Sequence, residues 1–177
     1  MVGTITIDYQ QHKRQIYLSM KTTKILSLLL VVLLLSSCKR DNWLDWKLQN
    51  ELWLLQNAQQ EGVITTPTGL QYKCIIPSPE GDNSARPDDA KIVTIKYTGQ
   101  MINGYVFDSA ESYTEYVSSF VSGFSEGLKK MKKHSTYEFY IPYNLGYGAS
   151  GSGTEGTERF IPPYTTLIFE VRLDAVN

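Results

Sequence analysis

Three residues set close together could do chemistry: the phenol of Tyr97, the ring of Phe107 and the carboxylate of Asp108. A carboxylate beside aromatic rings costs free energy unless hydrogen bonds satisfy it, so the cluster is either a closed structural network or a site. Other chemistries lack their residues. The histidines, His12 and His134, stand far apart, and no His, Cys and acidic cluster has metal-ligand spacing. There is no phosphate loop and no nucleophile elbow. Metal hydrolases, kinases and triad hydrolases are excluded. Cys74 has no neighbouring His and reads as a small buried hydrophobe in a strand.

The elements that must position this cluster surround Asn103-Gly104, a dipeptide that suits a two-residue hairpin turn. Before it, residues 92–97 alternate, so that if Ile95 faces the core, Val93 and Tyr97 share that face. After it, a second strand ends on Phe107 and Asp108, which can approach the Tyr97 phenol. Residues 109–118 are polar and rich in tyrosine.

At 177 residues the chain suffices for one domain with appendages. A 42% apolar and 12% aromatic content suits a folded core. The formal net charge is -1, and without residues 1–37 there remain 13 basic and 17 acidic residues. No basic surface is implied, and nucleic acid is not an expected partner. Lys129, Lys130, Lys132 and Lys133 sit late in an expected helix, where cations complement its dipole.

Ahead of the domain, Lys21 and Lys24 precede an apolar run of eleven residues, 25–35, interrupted by Ser27, and then Ser36-Ser37-Cys38. The run is too short for a membrane-spanning helix and suits the core of a signal peptide. Small residues before a Cys resemble the lipobox of bacterial lipoproteins, which makes Cys38 the lipidation candidate and the mature N-terminus. An ordinary secretory signal or a short buried helix are the alternatives. Met20 is then the expected start, with residues 1–37 an upstream extension plus leader. Residues 38–65 form a tether containing an N-terminal helix over 43–61. There Leu44, Leu48, Leu52 and Leu55 recur at near-helical spacing, and a polar face carries Lys47, Gln49, Asn50, Glu51, Gln56 and Asn57. That helix could pack on the domain, pair with a second copy as a homodimer, or lie among lipid headgroups; its lack of a basic face favours the first two.

From residue 66 the chain reads as strand 70–76, a Pro- and Gly-broken loop, the hairpin, a short helix 123–131 with Phe124, Leu128 and Met131 on one face, strand 137–141, a Gly-rich loop and strand 166–176. The sum is an α+β domain, an antiparallel sheet curled over one helix.

Taken together, Tyr97-Thr98-Gly99, Gly104-x-x-Phe107-Asp108-Ser109, Gly123-Phe124-x-Glu126-Gly127-Leu128-x-x-Met131, Ile141-Pro142, Tyr147-Gly148 and Ile161-Pro162-Pro163-x-x-x-Leu167-x-Phe169-Glu170-Val171 resemble the FKBP family of peptidyl-prolyl cis-trans isomerases, in order and over residues 66–177. With the lipobox and the preceding helix, the chain is similar to the envelope lipoprotein form of that family in Gram-negative bacteria. The resemblance implies a half-wrapped antiparallel β-sheet around one short helix. It implies a prolyl pocket with Asp108, Tyr97 and Tyr147 as catalytic residues and Phe107, Val121, Phe124, Phe160, Ile161 and Phe169 holding substrate. Phe124 stands where many members have Trp. The segment between Asp108 and Phe124 is shorter than usual and leaves Tyr113, Tyr116 and Phe120 as candidates for a further wall. The loop between Gly148 and Pro162 is longer, with Phe160 its apolar contact.

The implied partners are proline-containing polypeptides, immunosuppressant macrolides of the class that FKBPs bind, and a membrane reached through the lipid. No cofactor and no metal is implied. The expected function is assistance to folding of envelope proteins, at the outer membrane because Lys39 replaces the Asp that commonly retains lipoproteins at an inner membrane. The alternatives are a non-catalytic chaperone or binding module with a vestigial pocket, and a purely structural lipoprotein.

Overall fold

A computed structural model describes residues 42–177. The upstream extension, Met20, the leader and Cys38 lie outside the described residues. Among the described residues no helix is long and apolar enough to cross a membrane.

Helix α1 (Asn42–Asn57) is followed by β1 (Ile64–Thr65), β2 (Gln71–Ile76), β3 (Ile92–Gln100), β4 (Val106–Tyr116), a 3-10 turn (Val117–Ser119), α2 (Ser122–Leu128), β5 (Thr136–Ile141) and β6 (Leu167–Val176). The strands form one antiparallel sheet in the order β1-β2-β5-β6-β3-β4. This is the α+β fold expected, a sheet around one short helix with a helix ahead of it. Alternation builds the core from Phe169 onward: Phe169, Val171 and Leu173 of β6 are buried and Glu170 and Arg172 between them are exposed, while at the start of the strand Leu167 and Ile168 are both buried. Phe124, Leu128 and Met131 meet that face from α2 and the turn after it, and all three are buried. The lysine cluster follows α2 rather than ending it, and Lys129 pairs with Asp89 at 2.9 Å.

The hairpin departs from the sequence reading in two ways. Met101 accepts from the Gly104 N–H (2.9 Å) and its own N–H donates to Tyr105 (3.0 Å), so the loop holds three residues. Gly104 has φ +82°, while Asn103 is not among the residues with positive φ. A two-residue type I′ turn needs both positive, and a type I turn closed by one left-handed Gly needs only the Gly. The strand β4 also runs on to Tyr116 instead of stopping near Asp108. Its polar side chains are explained by its place at the sheet edge: Thr114 bonds Thr94 across the pair (2.9 Å), and Glu111 meets Lys96 at 2.6 Å.

Helix α1 docks through the face opposite to its leucines. Leu44, Leu48, Leu52 and Leu55 are exposed, at 61, 55, 48 and 67%. Asn50 and Asn57 are buried instead, along with the partly buried rings of Trp46 and Trp53. Amides can be buried here because each has partners: Asn50 Oδ1 accepts from the Thr166 N–H (2.7 Å), and Asn57 donates to Gln71 Oε1 (2.9 Å). Trp53 packs on Tyr140 at 5.7 Å between ring centres. Cys74 is exposed rather than buried. It sits opposite Tyr137 at the open end of β2 and lines a surface recess with Pro77, Ser78 and Arg86.

Candidate active site: an aromatic cleft beside Asp108

Register explains how neighbouring residues of β4 reach one place. Gly99 is opposite Asp108 but Gln100 is opposite Val106, so Phe107 is the extra residue of a β-bulge. In a regular strand Phe107 and Asp108 would point to opposite faces. The bulge turns both inward, Phe107 becoming 7% exposed with its ring perpendicular to Phe169 at 5.5 Å. A second bulge, between the pairs Ile95–Tyr113 and Tyr97–Ala110, brings the Tyr113 ring 6.1 Å from that of Tyr97.

The result is a cleft of about 290 Å³ lined by Tyr97, Asp108, Tyr113, Ser119, Phe120, Val121, Phe124, Tyr147 and Phe169. Phe124 is its floor. The ring stacks on Phe120 at 4.7 Å and stands edge-on to Phe169 at 4.9 Å and Phe139 at 5.5 Å. Such pairs add about 0.5–1.5 kcal/mol each beyond burial and hold the walls in fixed orientation. Ser125 Oγ donates to the Val117 carbonyl (2.6 Å), tying α2 to the turn that carries Ser119, Phe120 and Val121.

One charged group faces this apolar space. Asp108 Oδ2 accepts from the Tyr97 hydroxyl at 2.8 Å, and its Oδ1 from the Ser109 N–H at 3.0 Å. Burial, then the bond and charge of Asp108, pushes the Tyr97 phenol well above its ordinary value. Tyr147, 40% exposed at the mouth, is also raised, by burial first and by Asp108 second. Both hydroxyls therefore stay protonated as donors. Beyond Asp108 a second recess of about 340 Å³ is lined by Tyr105, Phe107, Asp108, Glu158 and Arg159, among others.

Of the residues expected at a pocket, Asp108, Tyr97, Tyr147, Val121, Phe124 and Phe169 line the cleft. Phe107 and Ile161 are buried in the core with Phe169. Phe160 does not line the cleft, because its ring packs edge-on against Trp43 at 5.9 Å. Of the wall candidates, Tyr113 and Phe120 are present and Tyr116 is not. Ser119 carried no signal in the sequence. Among the described residues no group of three His, Cys, Asp or Glu could hold a metal ion.

Comparison with known proteins agrees with this geometry. Residues 83–174 match the family model described as FKBP-type peptidyl-prolyl cis-trans isomerase, and residues 43–74 match the domain amino-terminal to it. A probable FKBP-type peptidyl-prolyl cis-trans isomerase FkpA of Neisseria meningitidis is 39% identical over 72% of this chain and 45% of its own length. The outer membrane protein MIP of Legionella longbeachae is 36% identical over 74% of this chain and 54% of its own. The FKBP-type 22 kDa isomerase of Escherichia coli is 40% identical over 68% and 56%. The chain thus spans about half the length of the curated relatives it matches. A solved peptidyl-prolyl cis-trans isomerase of Pseudomonas syringae superposes with a TM-score of 0.65 at 25% identity, over 73% of this chain and 91% of that one. With its aromatic cleft, its Tyr97–Asp108 pair and these matches, the chain belongs to the FKBP-type peptidyl-prolyl cis-trans isomerase family.

Proposed function

We propose that the cleft isomerises X-Pro peptide bonds in polypeptides. The observation that carries this is a buried aromatic floor, Phe124 and Phe169, facing a single carboxylate already engaged by Tyr97. Rotation about an X-Pro bond must break amide resonance, against a barrier of about 18–20 kcal/mol. The twisted amide has lost charge separation, so apolar walls favour it over the planar ground state. Phe124, Val121 and Phe169 hold the pyrrolidine ring, the Tyr147 hydroxyl donates to a substrate carbonyl, and Asp108 orients the rim or meets the twisted carbonyl. No nucleophile, metal or cofactor is required. Macrolides of the FKBP-ligand class are proposed to compete for the same cleft. The test is acceleration of cis-to-trans conversion of a proline peptide, with Phe169→Ala and Asp108→Ala weakening it. A wild-type rate equal to buffer refutes catalysis and supports a non-catalytic binding module.

We also propose that the protein assists folding in the cell envelope, anchored by lipid on Cys38 and held at the outer membrane. The relative named an outer membrane protein and the Leu-Ser-Ser-Cys sequence support this. Cys38→Ala should move the protein out of the membrane fraction. Residues 1–37 are proposed as extension and leader, 38–65 as tether and helix, and 66–177 as the isomerase domain. A second copy of the chain is the proposed partner of the leucine stripe on α1. Asp45 and Glu51 flank that stripe, which disfavours an anionic lipid surface, and the same stripe on a second copy is self-complementary.

A further inference from the structure

The loop of residues 148–162 runs from the cleft's mouth, where Tyr147 stands, to the buried Ile161 beside the core rings. Its two arms are close. Ser152 and Ile161 exchange backbone hydrogen bonds of 2.9 and 2.8 Å, and a Cβ on Gly151 would collide with the Ile161 carbonyl. The tip reaches the hairpin, since the Tyr105 hydroxyl donates to the Glu158 carbonyl at 2.8 Å. The loop is thereby one wall of the recess on the far side of Asp108.

What fixes this wall from behind is α1. Trp43 packs on Phe160. Trp46 Nε1 donates to Thr165 Oγ1 (2.9 Å), whose hydroxyl donates to the Pro162 carbonyl (2.7 Å). Asn50 takes the Thr166 N–H, and Lys47 Nζ lies 5.2 Å from the Tyr164 ring centre. Tyr164 has φ +61°, a conformation costly for a non-Gly residue, and its N–H is held by the Gly148 carbonyl at 3.0 Å. One helix thus contacts the returning arm of the loop at residue 160 and the segment just after it at 164, 165 and 166.

We propose that α1 positions the loop that walls the recess beside the cleft, with Trp43 acting through Phe160 as a positioning residue that sets how the chain flanking a substrate proline is held between the loop and Asp108. This rests on the prolyl isomerase reading and adds to it a part for the amino-terminal helix. An aromatic edge contact worth a few-fold in a conformational equilibrium should appear as a similar factor in substrate binding.

The experiment compares the full chain, in detergent, as wild type, Trp43→Ala, Phe160→Ala, the double variant and Trp43→Phe, by peptide isomerisation and by amide hydrogen exchange. Each single Ala variant should lower kcat/KM by about three- to tenfold, mostly through KM, because the loop binds rather than reacts. The double variant should be no worse than either single one, and Trp43→Phe should recover most of the loss. Exchange at the Ser152 and Ile161 amides should rise in Trp43→Ala while the β6 amides stay protected, which separates a loosened loop from a destabilised fold. Unchanged exchange in the loop, or losses that multiply in the double variant, overturn the proposal. A wild type without isomerase activity refutes catalysis instead, and the exchange comparison still decides whether α1 holds the loop.

Discussion

The Tyr97 hydroxyl donates to Asp108 Oδ2 over 2.8 Å, joining two residues eleven apart in sequence across a bulged strand pair. Changing either partner weakens the pair. Tyr97→Phe leaves the carboxylate one donor short beside apolar rings, and Asp108→Asn retains shape but removes the charge. Both are expected to lower kcat/KM by about tenfold, the scale of a hydrogen bond to a charged group worth roughly 1.5 kcal/mol or more. The pair also sets an alkaline response. The folded phenol is raised above its unfolded value near 10, so its contribution is complete below about pH 10 and is lost as pH climbs through the folded value. Denaturant midpoints should fall with pH above about 10 in wild type and less steeply in Tyr97→Phe. Tyr140, raised by burial and by its bond to Glu138, leaves a residual slope.

Gly99 is the second test of the cleft. A Cβ there would lie 2.5 Å from Phe169 Cε1 and 2.8 Å from Phe107 Cζ, so the glycine exists to let two rings close over the strand. Gly99→Ala should cost about 1–3 kcal/mol in urea unfolding through overpacking. It should also reduce isomerase activity by more than the stability loss explains, because Phe169 is displaced. Unaltered stability and activity would mean that the rings repack freely.

How much of this could be read beforehand divides along a physical line. Period-two burial in β6, the inward run of Val93, Ile95 and Tyr97, and the Phe124, Leu128 and Met131 face all follow from local pattern. Bulges do not, since they are fixed by pairing, and so the joint inward aim of Phe107 and Asp108 needed the register. The docked face of α1 is undecided in the sequence for a related reason. Its four leucines recur at helical spacing and leave docking and pairing equally open, but the docked side carries Asn50, whose side-chain oxygen accepts the Thr166 N–H just ahead of β6 where a leucine could not. Phe160 reads as a pocket residue because it is the apolar side chain of an otherwise polar, Gly-rich loop; only the fold supplies Trp43.

A separate acid-sensitive point lies in the loop between β2 and β3. The Ser78 hydroxyl, the Ser84 N–H and the Ser84 hydroxyl surround the Asp82 carboxylate and hold it down to about 2. Ser78 Oγ is also 2.6 Å from the Lys133 carbonyl, and Lys132 donates to the Asp82 carbonyl, so the carboxylate sits within a link to the turn that follows α2. A lowered folded pKa gives stability that is present above the unfolded value near 4 and disappears as pH falls through 2. Asp82→Asn should flatten thermal stability over that window and leave the alkaline limb untouched. An acid limb identical to wild type would remove Asp82 from the account.

The outward leucines of α1 give the last prediction. Leu44, Leu48, Leu52 and Leu55 are each about half or more exposed, on the side of the helix away from the face that holds Asn50 and Asn57. Nothing in the docking of α1 uses them, so changing them should leave the fold intact, within about 0.5 kcal/mol as for other surface positions. Their clustering has a cost in water that a second copy would relieve. An isologous pair of helices places each stripe against the other, where a charge at the centre of the seam is strongly disfavoured. Leu48→Glu with Leu55→Glu should therefore convert a dimer to a monomer by sedimentation. The melting temperature measured at low protein concentration, and the near-ultraviolet signal of Trp46 and Trp53, should stay unchanged. A wild type that sediments as a monomer at every concentration ends the proposal of a second copy. A dimer that survives both charges moves its interface elsewhere on the surface.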